Sequence, residues 1–196
     1  MENRIDDDKL KHMRAVAEVM YDNADALTEL HMDKEIAYTV GLLHDIGYIR
    51  GKENHSKNGA DIVDKLGMNY MIGQDNVNAI NYHGTDGYTM IVNGNLKHIS
   101  PMLLLLQYAD LSVDKKGNKV GFEKRLADIQ KRYDKDRYDK VCKITDFLKE
   151  VFTFEIGKDT YPTLKPLTEK DFYERIGSIL DRYMKTNEKE TEYDRE

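Results

Sequence analysis

From Ile36 to Ile49 the chain reads IAYTVGLLHDIGYI, and only Thr39, His44 and Asp45 carry side chains more polar than tyrosine. A segment apolar on nearly every face has no side to turn to water, so it must be a central element of whatever fold forms. The charged pair His44-Asp45 sits inside it. A buried carboxylate costs several kcal/mol unless a counter-charge meets it, roughly the penalty for an unpaired buried ion. A metal ion suits both an imidazole and a carboxylate. His12 and Asp110, each isolated in another apolar stretch, pose the same question, and one site could answer it for all four.

Helical periodicity dominates the rest of the chain. Asp6 to Asp8 can cap a first helix running to about Leu27 or Leu30, with Met13, Val16, Ala17 and Met20 in its apolar stripe. Asp33 caps a second, expected from Lys34 to about Tyr48, and a third runs from His55 to Leu66 with Gly67 as its stop. A shorter helix begins after Asp75 and ends near His83-Gly84. Ser100-Pro101 is a start signal, a capping serine before proline at the first helical position, and it opens the apolar run MLLLLQYADL. DKKGNK then reads as a turn or short hairpin. Helices are expected over about Phe122 to Tyr133, Tyr138 to Phe152, and Thr168 to Met184; strand signals are weak throughout.

The expectation is all-α: a helical metal-binding core over residues 1–135, C-terminal helices over 136–187, and a disordered tail over 188–196. The apolar faces beyond Tyr133 could close the core or cover a homodimer interface. A net charge of -6 argues against a nucleic-acid polymer as partner. The acidic start MENRIDDDK does not resemble a signal peptide, and the apolar run Met102–Leu106 is too short to cross a bilayer, which points to a cytoplasmic protein away from membranes. Cys142, the single cysteine, reads as a core packing residue.

Each candidate ligand lies on an apolar helix face. His44 shares a stripe with Ala37, Val40 and Gly41; Asp110 follows Leu103 and Leu106 at i−7 and i−4; His12 aligns with Val16 and Val19. Two imidazoles and two carboxylates form a nitrogen and oxygen set suited to Mn, Fe, Co, Ni or Zn, unlike the thiolates of structural zinc. His31 and His98 fit neither stripe nor motif and read as surface residues.

The order His12, His44-Asp45, Asp110 resembles the H…HD…D pattern of the HD superfamily of metal-dependent phosphohydrolases. GLLHDIGYI is similar to that family's HD helix, ENHSKNGADIV to the helix after it, NYHGTDGY to the next histidine-bearing segment, and SPMLLLLQYADLSVD to the segment of the last aspartate. GFEKRLADIQKRY further resembles a helix of small bacterial members, so the likeness spans about residues 5–135. It implies an HD-domain helical bundle holding one or two divalent metal ions. His12, His44, Asp45 and Asp110 would bind the first, and His55 and His83 a second, with Asp45 bridging and serving catalysis. It implies an enzyme that hydrolyses a phosphate ester or anhydride of a nucleotide or small phosphorylated metabolite by metal-activated water. A regulatory domain binding metal and nucleotide without turnover, or a di-iron oxygenase, would share the ligand pattern. Many relatives carry lysine where Tyr48 stands, and DGYTM lacks the paired histidines and proline of the cyclic-dinucleotide branch. The substrate-binding cations nearest the motif are then Arg50 and Lys52.

Overall fold

The computed structural model describes residues 5–84, 99–156 and 162–193. Helix α1 (Asp7–Ala24) starts at Asp6, whose carboxylate accepts from the Lys9 amide at 2.7 Å. Its inward face, Val16, Ala17, Val19 and Met20, is wholly buried. A 3₁₀ segment (Asp25–Leu30) leads to α2 (Lys34–Leu43), capped as expected by Asp33, which accepts from the Glu35 and Ile36 amides at 2.9 and 3.0 Å. The two helices cross so closely that a β-carbon on Gly41 would lie 2.7 Å from Ala17 Cα. Only glycine allows that approach.

The second helix does not continue to Tyr48. It ends at Leu43; His44 caps it with helical dihedrals (φ −54, ψ −37), Asp45 turns away at φ −102, ψ 9, and Ile46–Arg50 form a 3₁₀ turn. The Gly41 carbonyl, which would take the Asp45 amide in a continued α-helix, instead accepts from the His44 ring at 2.7 Å. The histidine thus ends the helix that carries it, and the break presents His44 and Asp45 at a corner.

Helix α3 (His55–Lys65) closes at Gly67 (φ +71), and α4 (Asn69–Ile72) and α5 (Gln74–Tyr82) follow. Ser100 Oγ accepts from the Leu103 amide at 3.1 Å and opens α6 (Pro101–Asp110), in which Leu103 to Leu106 are fully buried. The DKKGNK turn forms, with an antiparallel bridge between Val113 and Lys119 and Gly117 at φ +84. Helices α7 (Phe122–Arg132) and α8 (Lys135–Val151) lead to a two-stranded antiparallel hairpin, β1 (Phe154–Ile156) and β2 (Pro162–Leu164), and then to α9 (Glu169–Tyr193). The hairpin's strand signal is too short to stand out against helical periodicity, and its position comes from tertiary contacts. Asn23, buried at the end of α1, accepts from the Leu164 amide at 2.8 Å, and Phe154 joins Tyr108 and Phe122 in an aromatic cluster.

Phe147, Leu148 and Val151 of α8 and Phe172, Ile179 and Leu180 of α9 belong to the same buried cluster as α1, α2 and α6. Helix α9 runs past Met184 to Tyr193, through a stretch rich in the helix formers Lys and Glu and without Gly or Pro. Residues 194–196, the end of the expected tail, lie outside the described residues, as does His98. Cys142 is half-buried on α8 and not in the core. No helix among the described residues is long and apolar enough to cross a membrane.

Candidate metal centre

Five helices aim polar groups at one point. His12 comes from the second turn of α1, His44 and Asp45 from the corner after α2, His55 from the start of α3, His83 from the end of α5 and Asp110 from the end of α6. Asp45 stands at the middle. Its Oδ2 lies 3.3 Å from His44 Nε2 and 3.9 Å from His12 Nε2, while its Oδ1 lies 3.5 Å from both His55 Nε2 and His83 Nε2. His12 Nε2 is also 3.0 Å from Asp110 Oδ1. The ligating atoms of His12, His44 and Asp110 lie within 4.8 Å of one another, as do those of His44, Asp45 and His83.

The other ring nitrogens explain why these edges converge. Nδ1 of His12, His44, His55 and His83 faces the carbonyls of Asp114, Gly41, Lys52 and Ile80 at 2.9, 2.7, 3.3 and 2.7 Å. A carbonyl only accepts, so Nδ1 donates in each case, and a neutral ring then presents the lone pair of Nε2 to the cluster. Backbone acceptors that orient a ligating histidine in this way are the usual support of a metal site. Burial opposes charge on Asp45, but His44 and His83, in the form that carries a proton on Nε2 when no cation is held there, and Lys9 outweigh it and hold the carboxyl well below its usual range. Asp110 is likewise held down against burial by His12 and Arg125. Burial and His83 push the His55 imidazole down to about 4, so it stays neutral near pH 7. His44 Nε2 is buried without a hydrogen-bond partner among the described residues. Two ionised carboxylates facing four imidazole edges, one of them orphaned, fit a divalent cation.

The cluster forms one wall of a cavity of about 110 Å³. The other walls bring Gln107, Lys115, Arg125, Arg132, Tyr133 and Arg137. Arg50 and Lys52 do not line it; both are exposed, because the 3₁₀ turn directs them outward, and Lys52 contributes its carbonyl to His55. Two cations do stand beside the centre: Arg125, at Asp110, and Lys9, whose Nζ lies 2.8 Å from Asp45 Oδ2 and 4.0 Å from the centre of the Tyr48 ring. Lys9 precedes His12 by one helical turn, a spacing that could have marked it, but the run DDDKLK reads as a solvated face.

Gln107 is 2% exposed, and neither of its amide atoms has a hydrogen-bond partner among the described residues. Each buried, unmet polar group costs about 1–3 kcal/mol. Gln107→Met, close in shape, is therefore expected to raise the unfolding free energy by roughly 1–2 kcal/mol in denaturant titration. A lower stability would show that the amide has a partner in the folded chain.

A family model described as HD domain matches residues 10–146, a span that takes in all six clustered residues and extends into α8. No curated protein and no solved structure matches the chain.

Proposed function

The chain belongs to the HD-domain family, and from that premise we propose that it is a metal-dependent phosphohydrolase cleaving a phosphate ester or anhydride of a nucleotide or small phosphorylated metabolite. The observation that carries this reading is the division of Asp45: one carboxylate oxygen faces His12 and His44, the other His55 and His83. His12, His44, Asp110 and Asp45 Oδ2 would hold one divalent ion, and His55, His83 and Asp45 Oδ1 a second. An ion so held lowers the pKa of water and neutralises charge on phosphoryl oxygens.

The chain's own groups do the rest. Carbonyls fixed to Nδ1 keep the four Nε2 edges aimed inward, so little reorganisation accompanies binding. Asp45, ionised, can accept a hydrogen from the attacking water and align it. Lys9 steadies the same carboxylate and adds positive charge where a phosphoryl group would arrive. His44, fully buried, and the core behind it keep bulk water from the rear of the site.

The test is elemental analysis of protein purified without chelator, with phosphate release measured over nucleotides and small phosphate esters. Two transition-metal ions per chain are expected, falling to one in His55→Ala and in His83→Ala. Phosphate release should persist under argon, where an O₂-dependent di-iron reaction would stop. A metal-free chain that gains none on reconstitution would refute the reading, and a metal-replete chain releasing no phosphate from any compound would point to a binding domain without turnover.

A further inference from the structure

We infer that the cavity beside the centre holds a second anion subsite, built by Arg125, Arg132, Arg137 and Lys115, and that the substrate carries two or more linked phosphates. This rests on the reading of the histidine and aspartate cluster as the hydrolytic site and names the class of phosphorylated compound it takes.

Charge is the first argument. Five cationic side chains, Lys9, Lys115, Arg125, Arg132 and Arg137, line the cavity against only two carboxylates, Asp45 and Asp110. Asp128, outside the lining, pairs with Arg125 and Arg132, and the local excess that remains is two positive charges in a chain of net charge -6. Bound metal would add to it. A single phosphoryl group needs only the charge at the centre itself, so the surplus calls for further anionic groups on the same ligand. A nucleic-acid polymer would need basic charge spread over an outer face, whereas here it lines a pocket.

The arginines are also placed for it. Arg125 is 9% exposed; its Nη2 reaches Asp110 Oδ1 at 3.3 Å, yet Nε and Nη1 have no hydrogen-bond partner among the described residues. Buried guanidinium N–H groups left unmet at a cavity wall await acceptors, and phosphate oxygens match the guanidinium fork. One turn on, Asp128 lies 3.6 Å from Arg125 Nη1 and takes two bonds from Arg132, at 3.1 and 2.5 Å. His12, Asp110, Arg125, Asp128 and Arg132 thus form a continuous chain of contacts from the centre to the mouth. Arg137 lies 4.1 Å from the centre of the Tyr133 ring, a contact that orders its guanidinium without using an acceptor. A second phosphate linked to the reacting one would meet Arg125 first, and a third Arg132 and Arg137.

The experiment is calorimetric titration of the full metal-loaded chain in excess Mg²⁺, which keeps the ligand from stripping the centre, with inorganic phosphate and inorganic tripolyphosphate as probes. Tripolyphosphate should bind at least about 30-fold tighter than phosphate. The double variant Arg132→Ala/Arg137→Ala, chosen near the mouth so that folding is preserved, should lose about tenfold or more of the tripolyphosphate affinity while changing phosphate affinity by no more than about twofold. Equal affinities in the parent chain, or a variant that weakens both probes alike, would overturn the subsite. Phosphate release is scored separately. A chain that discriminates the probes as expected but hydrolyses nothing would refute the hydrolytic reading and leave the subsite standing.

Discussion

Asp45→Ala is expected to remove both metal and activity: metal content should fall to near zero, and phosphate release by roughly 10³-fold or more, the scale on which loss of a central electrostatic group slows an active site. The reason is geometric. Asp45 is the carboxylate that serves both halves of the cluster, lying within 4.0 Å of Lys9, His12, His44, His55 and His83 at once. Without its charge, four imidazole edges face one another with only Asp110 as an anion, and cations are repelled by Lys9. Asp45→Asn keeps the shape and serves as the folding control, so loss of metal in both variants, with helical content unchanged, isolates the charge. Full metal content in either variant, with phosphate release intact, would show that the cluster is an inert polar core.

How much of this was legible in the sequence depends on what each residue's neighbours reveal. Asp33, Gly67 and Ser100-Pro101 mark helix ends by local chemistry alone, and those ends stand where expected. His12, His44, Asp45 and Asp110 are legible as isolated polar groups in apolar stretches, whereas His55 and His83 stand in polar segments and are reached only through the family resemblance. The helix break at His44 is not legible, because Ile46, Gly47 and Tyr48 continue the apolar pattern; what ends the helix is a ring-to-carbonyl bond that periodicity does not register. Arg50 and Lys52 are the cations nearest the HD pair in sequence, and the same break turns them away from the cavity. The cations that do line it lie far along the chain. Arg125, Asp128 and Arg132 recur at i, i+3 and i+7, a shared helix face that reads as solvated until α7 is seen to pack beside Asp110.

Gly47→Ala is expected to be the most destabilising single methyl addition near the site. A β-carbon there would lie 1.8 Å from the His55 carbonyl oxygen and 2.5 Å from the Gly59 amide nitrogen, both backbone atoms that no side-chain rotation can clear. The 3₁₀ turn and α3 must then separate, at a cost of about 3 kcal/mol in unfolding free energy, the upper range for overpacking. The same added methyl at Gly177 meets nothing within 4 Å on α9 and should be neutral or stabilising by up to about 1 kcal/mol, through helix propensity. The functional consequence follows from where the clash falls. His55 sits on the displaced end of α3, whereas His12, His44 and Asp110 are held by α1, α2 and α6. Gly47→Ala should therefore lose the ion assigned to His55 and His83 and keep the other, so that thermal unfolding and metal analysis of one variant report separately on packing and on the division of ligands at Asp45. Two ions retained at parental stability would mean that α3 does not rest on this contact.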